Sequence, residues 1–512
     1  MSESRTRNVA LNTVTKVIAN LAMVLLSFWS RRVFFNMLGK DLLGINSLFQ
    51  DVLNVLDFTD LGFSAVLMVS MYEPIAKKDY KKIHSLLDLA KTVYRYVMLA
   101  IAVFGLCFIP ILKFVKTDVP FGRLILYYMP FLLNNILSYL WAYRETYLNA
   151  CQKSYKLFYA DMFQTFASVI TRTMLLKYTG SFMAYIVCMI AFTIIKKLSF
   201  NYVISKECPE IRYDHADPVD DETKQSIIRK SKAMVVQKLS SLGINQTDSF
   251  IVSVVLNSAT WGVVSNYNLI KSAVIQVLNG LVNALIPSMG NLMNSDNYSK
   301  QLEVFLQYDY LNHWIYTGCF AMLLPLSNEV ISFIFNDNML MKTYEIFVFL
   351  LSFYIQGLLS PINVMRESSG MFERDQWVAI VACLANLVTS VIFIKMFGLP
   401  GVFYGTIISS IVFIVFRVWI YFDNYADIKD AKKYYVVIIK NIVQCMFVVG
   451  LIYALYTKVL LIPLAGLAGL IVRGIVLALA FVALFLIMNF RNPMFIALVK
   501  RFTGLFARFA GR

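Results

Sequence analysis

The sequence predicts an all-α polytopic membrane protein of about fourteen transmembrane helices. These would form two six-helix lobes related by a parallel pseudo-two-fold repeat, followed by an extra C-terminal hairpin. Three observations lead there. The 512 residues are 59% hydrophobic and 15% charged, where soluble domains carry roughly 25% charge. Mean hydropathy is +0.64. Apolar segments long enough to cross a hydrocarbon core of ~30 Å, which takes about 20 helical residues, recur along the whole chain. Finally, residues 38–82 align without gaps on residues 256–300 with nine identities in 45 positions. Ser47/Ser265 is one of them, and the pairs Gly44/Gly262 and Gly62/Gly280 with the Tyr80-x-Lys82/Tyr298-x-Lys300 match fall at equivalent helix and loop positions, the mark of a duplication.

Hydropathy places the spans at about 9–35, 42–71, 86–112, 121–148, 157–177, 181–205, 232–256, 261–293, 304–335, 342–366, 376–395, 400–422, 436–457 and 463–489. The first segment ends in Arg31-Arg32 and not in a small-residue cleavage site, so it reads as a retained signal-anchor helix. Residues 1–206 form the expected N-lobe and 232–425 the C-lobe, joined by the polar linker 207–231. Residues 426–490 form the appended hairpin, which has no counterpart in the repeat. An even number of spans per lobe leaves both copies in the same orientation, as in parallel-repeat transporters, with substrate at their interface.

Lys and Arg set the orientation. One side gathers Arg5, Arg7, Lys77, Lys78, Lys81, Lys82, Lys153, Lys156, Arg212, Lys224, Arg229, Lys230, Lys300, Arg374, Lys429, Lys432, Lys433 and the basic tail. The opposite loops hold one or two each, at Lys40, Lys113 with Lys116, Lys177, Lys342, Lys395 and Lys458. Both termini are therefore expected in the cytoplasm. The net charge of +16 lies between apolar segments and forms no patch on a soluble domain, so nucleic acid is not an expected partner. Residues 491–512 place Phe495, Leu498, Val499, Phe502, Leu505, Phe506 and Phe509 on one helical stripe, with Lys500, Arg501, Arg508 and Arg512 off it. That pattern suits a basic amphipathic helix lying on an anionic leaflet.

Ionisable groups inside spans are costly and face a bundle interior or a wet cavity. The first half offers Lys16, Arg31, Arg32, Asp51, Asp57, Asp60, Arg144, Glu145, Asp161 and Arg172. The second offers Lys238, Asp248, Lys271, Asp309, Arg366, Glu367, Arg417 and Arg473. Arg144, Arg366 and Arg417 lie near span ends, where snorkelling to the headgroups is the plain expectation. Asp57, Asp248 and Lys271 lie deeper, and each could line a cavity or form a structural pair. Adjacent helix positions point about 100° apart, so only one of Arg31 and Arg32 should face the interior. Asp57 and Asp60, at i and i+3, share a helix face. They could bind H⁺ or Na⁺ and couple transport, and Asp248 is a third candidate for that role. The seven Cys stand singly, the three His (His84, His215 and His313) sit in unrelated settings, and no metal spacing, Walker loop or HExxH motif is present. A metal site, an ATP-driven pump and an enzyme are all disfavoured, and no cofactor is expected beyond a H⁺ or Na⁺ gradient.

Arg31-Arg32, Gly39 and Gly44 in an RR-x₆-G-x₄-G first hairpin, the segment DFTDLGFSAV at 57–66, and the later Asn266–Pro287 helix together resemble the multidrug/oligosaccharidyl-lipid/polysaccharide (MOP) exporter superfamily. Within it the chain looks most like bacterial polysaccharide repeat-unit flippases of the Wzx type. The resemblance implies a fold like the MATE transporters and lipid II flippases, and no enzymatic activity. It implies transfer of undecaprenyl-diphosphate-linked oligosaccharides across the bacterial cytoplasmic membrane by alternating access, for capsular or exopolysaccharide assembly. The polymerase and other assembly proteins are its candidate partners. Related lipid II flippases line the cavity with basic residues from the first, second and eighth spans. Arg31/Arg32 match the first position and Lys271 approximately the third, with Lys238 a further cationic candidate. Asp57 stands where the second basic residue is expected, a departure that counts against lipid II itself. For the sugar, Asn54, Asn266, Tyr267 and Gln276 offer hydrogen-bonding partners, with routine interhelical bonding as their alternative. A cation-coupled multidrug exporter on the same fold is the second reading. Its site should be acidic and aromatic.

Overall fold

The structure, a computed structural model, describes residues 2–56, 63–212, 246–293, 298–335, 337–369, 374–425, 428–459 and 466–499, with 218, 219, 224, 225 and 227. Every regular element among these residues is a helix. That is what a chain bathed in lipid requires, because only helices and closed barrels satisfy their own backbone there. Nine helices among the described residues are long and apolar enough to cross a membrane. The chain is an all-helical, multi-pass membrane protein that divides into two compact units, Met1–Ser265 and Asn266–Arg512.

In the first unit, α1 (Ser2–Val55) is broken at Gly39, whose φ of 78° and ψ of 178° are tolerated without a Cβ. The break separates the first two sequence-expected spans. Residues 43–49, beyond it, are all buried. α2 (Phe63–Lys77) and α3 (Tyr80–Phe108) follow, and Asp79 caps α3 by accepting from Lys82 N at 3.1 Å. The expected span 121–148 is two helices, α4 (Phe121–Ser138) and α5 (Ala142–Ala150). Trp141 between them adopts φ 57°, a left-handed conformation that no hydropathy profile reports. α6 (Tyr155–Thr179), α7 (Phe182–Glu207), α8 (residues 246–255) and the first turns of α9 (Ser258–Met293) complete this unit. Edge-to-face aromatics bind α1, α4 and α7. Phe34 lies 5.4 Å from both Phe182 and Tyr185, and Phe49 lies 5.2 Å from Tyr128. α6 falls outside the nine because it carries Lys156, Asp161, Arg172 and Lys177.

The second unit continues with α10 (Tyr298–Phe335), α11 (Thr343–Gly357), α12 (Ser360–Ser369), α13 (Gln376–Phe397), α14 (Pro400–Tyr425), α15 (Ile428–Val459), α16 (Gly466–Asn489) and α17 (residues 493–499). α11 is the central helix of this unit and α16 a peripheral one. In the most apolar stretch of residues 343–368, which α11 dominates, 72% of the residues are buried; in that of α16 only 6% are.

Arg366 and Arg417 do not snorkel, as their places near span ends had led one to expect. They are 9% and 8% exposed. Both bind Oδ2 of Asp375, at 2.9 Å from Arg366 Nη1 and 2.8 Å from Arg417 Nε. Arg417 also donates to Asn363 Oδ1 at 2.8 Å. Burial of two guanidinium groups is tolerable only because the carboxylate is buried with them. Arg144 likewise turns inward, donating to Asn201 Oδ1 at 2.6 Å and Ser205 Oγ at 3.2 Å.

Candidate functional site

The repeat detected in the sequence becomes a contact in the first unit. Gly44 of α1 and Gly262 of α9 face one another where the two helices cross. A Cβ on Gly44 would stand 1.8 Å from Ser258 O, and one on Gly262 would stand 2.5 Å from Lys40 O and 3.0 Å from Gly44 N. The crossing is therefore backbone against backbone, the close approach that small residues permit between membrane helices.

Arg31 spans this crossing. Its Nη2 donates to Ser47 Oγ at 2.8 Å and its Nη1 to Ser265 Oγ at 3.1 Å. Ser47 and Ser265 are themselves equivalent positions in the repeat, so one guanidinium joins the two copies at matched sites. Asp51, one turn beyond Ser47, faces the same guanidinium and accepts from Trp261 Nε1 at 3.1 Å. Ser249 of α8 is its other hydrogen-bonding neighbour. Arg31 is half-buried and Arg32 exposed, the division expected of adjacent helix positions.

Beyond the crossing, towards Lys40, Asp41 gathers a second network. Its carboxylate accepts from Thr117 Oγ1 at 2.7 Å, from Asp118 N at 3.1 Å, and from Ser258 Oγ. Lys116 pairs with the α8–α9 connection through its backbone, Lys116 N to Ser253 O and Ser258 N to Lys116 O, both at 3.0 Å. Its ammonium donates to Val255 O at 2.6 Å. A cavity of about 560 Å³ opens here, with Lys40, Asp41, Lys116, Asp118 and Thr260 in its wall.

In the second unit, Asn266 is fully buried. Tyr267 is held by structure: its hydroxyl donates to Asn328 Oδ1 and accepts from Met341 N at 3.0 Å. Lys271, one turn on, is half-buried, with its ammonium 4.8 Å from the centre of the Phe349 ring. Asn54 and Gln276 are exposed and Asp248 is half-buried. Asp57, Asp60 and Lys238 lie outside the described residues. Of the described candidates, Arg31 lies in the tightly bonded helix crossing, and Asn266, Tyr267 and Lys271 lie on the stretch of α9 that follows it. Asp51 was among the ionisable groups the sequence offered, whereas Asp41 and Trp261 were not candidates. Their signal was the Ser and Gly repeat pairs that bring α1 and α9 together.

No protein-family model matches the chain, and no curated protein matches it in sequence. Solved structures do match in shape. The lipid II flippase MurJ, in an inward closed conformation, superposes with a TM-score of 0.65 at 16% identity, covering 93% of this chain and 99% of its own. An inward-facing multidrug resistance MATE transporter of the MOP superfamily gives 0.61 at 14% identity, covering 81% and 99%. A Vibrio cholerae MATE transporter gives 0.52 at 9% identity, covering 80% and 98%. The chain shares its fold with these solved transporters. In this fold the Gly44/Gly262 crossing and the Arg31 bridge lie on the first, second and eighth expected spans.

Proposed function

We propose that the protein is a flippase that moves undecaprenyl-diphosphate-linked oligosaccharide repeat units across the bacterial cytoplasmic membrane by alternating access. It would serve capsular, exopolysaccharide or related surface-polymer assembly, with both termini in the cytoplasm and a polymerase among its partners. The observation that carries this reading is the extent of the shape match. A lipid flippase accounts for 93% of the chain, a multidrug transporter of the same superfamily for 81%. The described part of α9 supports it further, because it presents a cation at Lys271 and not a carboxylate. A multidrug exporter, the second reading, takes amphipathic cations and would want the opposite charge there.

A diphosphate needs compact positive charge in a site that water leaves, where Lys acts as a point charge and Arg grips two oxygens at once. Lys271, poised over Phe349, and the exposed Arg32 are the proposed contacts. Arg31 is proposed to position the crossing through Ser47 and Ser265. Losing one charge-assisted contact of ~1.5–3 kcal/mol lowers turnover at limiting substrate about tenfold or more. Arg32→Ala and Lys271→Ala should each reduce surface polymer to that extent while membrane levels of the protein stay unchanged on immunoblots. Wild-type polymer in both strains would remove the proposed diphosphate contacts.

A further inference from the structure

The most deeply buried ionisable cluster of the second unit lies apart from these contacts. Asp309 and His313 are one helical turn apart on α10 and are 2% and 1% exposed. Asp309 accepts from Tyr434 OH at 2.7 Å and from Asn441 Nδ2 at 3.3 Å, both on α15. Among the described residues it has no cationic partner. His313 Nδ1 lies 2.9 Å from Tyr354 OH of α11 and 3.4 Å from Thr317 Oγ1. The Tyr354 hydroxyl donates in turn to the backbone carbonyl of Asn441 at 3.1 Å. Asn441 therefore joins the two groups, its side chain on Asp309 and its carbonyl on the tyrosine that meets His313. His313 Nε2 has no hydrogen-bond partner among the described residues, and Gln444 is a further neighbour of the ring.

The groups around this pair are neutral or distant. On α10 itself Tyr308 bonds Ser360 of α12, Tyr310 bonds Asn489 of α16, and Glu303 accepts from Gln307. α15 contributes Tyr434 and Cys445, and α11 contributes Tyr354. Tyr421 of α14 packs on Phe305, whose ring lies 5.0 Å from that of Tyr434. The short turn Asp337–Met339 packs at the far end of α10, where Ser332 bonds Asp337.

An ionised carboxylate offers about four acceptor sites, and Asp309 fills two. A desolvated carboxylate with no counter-cation is expensive unless it is neutralised. A metal cation would need several further oxygen ligands, whereas the neighbours of Asp309 point hydrogen at it. The proton alone fits. His313 offers the complementary site. With Nδ1–H donated to Tyr354, whose own hydrogen is committed to Asn441, Nε2 is the lone pair left to take a proton. Tautomer and charge here follow from the donor inventory of the network.

We propose that Asp309 and His313 form a proton-binding pair, holding one exchangeable proton between α10, α11 and α15. Because α15 belongs to the hairpin that the repeat does not explain, the pair gives that hairpin a protonation-dependent tie to α10. The proposal concerns proton binding and stands apart from the identity of the cargo.

The test uses the purified full-length protein in lipid. Infrared difference spectra between acid and alkaline buffer should show the C=O stretch of a buried carboxylic acid. That band should vanish in Asp309→Asn and move to the glutamic-acid position in Asp309→Glu. Asn keeps an acceptor for Tyr434, so Asp309→Asn should fold, and Asp309→Glu supplies the readout if it does not. Trp314, whose ring centre is 5.3 Å from that of His313, is a built-in reporter. Its fluorescence should change with pH in wild type, and His313→Gln or Trp314→Phe should remove the change. A wild-type spectrum with no such band, or one that survives unshifted in both Asp309 variants, overturns the aspartate half of the pair. A wild-type fluorescence that ignores pH, or a response that persists in His313→Gln, overturns the histidine half.

Discussion

Asp375→Ala is expected to destabilise the protein by about 3–5 kcal/mol, the cost of leaving buried charge uncompensated. Asp375 is 2% exposed and is shared by Arg366 of α12 and Arg417 of α14. Removing it takes away the buried carboxylate both guanidinium groups share, leaving Arg417 with Asn363 and the Phe413 ring and Arg366 with the more exposed Glu367 at 3.6 Å. The loss is read as a drop in the midpoint of thermal or denaturant unfolding in detergent and as reduced accumulation in membranes. If uncompensated charge is the cause, replacing all three residues together (Arg366→Met, Asp375→Leu, Arg417→Met) recovers much of the loss. A triple variant as unstable as the single one would assign the cost to packing.

Gly44→Val is the second large effect. Its first added carbon would fall 1.8 Å from the Ser258 carbonyl oxygen, and that oxygen belongs to backbone that cannot swing aside. Overpacking typically costs about 1–3 kcal/mol and occasionally more, and a clash against backbone on both sides of the crossing belongs at the upper end. Gly262→Val should behave alike, since its Cβ meets Lys40 O at 2.5 Å. Because the two act on one contact, their costs should not add in the double variant. Gly450→Ala is the control: nothing lies within 4 Å of the added carbon, and α15 is helical there. Helix propensity alone then favours it by roughly 0.5–1 kcal/mol. Equal melting temperatures for Gly44→Val and Gly450→Ala would refute the backbone-to-backbone crossing.

Much of this was legible in the sequence, because lipid leaves a chain few options. Apolar length locates membrane helices wherever the chain is uniform, and the described helices meet the expected spans from α3 onward. The repeat went further, since Gly44 and Gly262 touch at the crossing and Ser47 and Ser265 both accept from Arg31. Hydropathy failed where backbone conformation or partner choice decides. The turn at Trp141 depends on one left-handed residue inside an otherwise apolar run. Arg366 and Arg417 looked like snorkelling cations because their shared carboxylate, Asp375, lies on a third helix. His313 was read as isolated although Asp309 stands four residues before it. The i, i+4 spacing was visible, but the burial and the Tyr354–Asn441 bridge come from helices 41 and 132 residues away. Tyr267, an expected sugar partner, is committed to Asn328 and Met341, a commitment that composition cannot report.

The most direct test of the proposed activity is transbilayer movement of the lipid itself. Purified protein would be reconstituted into liposomes loaded with an undecaprenyl-diphosphate-linked oligosaccharide. A membrane-impermeant sugar-oxidising or lectin reagent would then score the fraction exposed with time. Wild-type protein should accelerate exposure well above protein-free vesicles, and Lys271→Ala should return the rate to within about a tenth of that gain. A wild-type rate equal to that of protein-free vesicles, or a Lys271→Ala rate equal to wild type, would contradict a flippase that grips the diphosphate through Lys271.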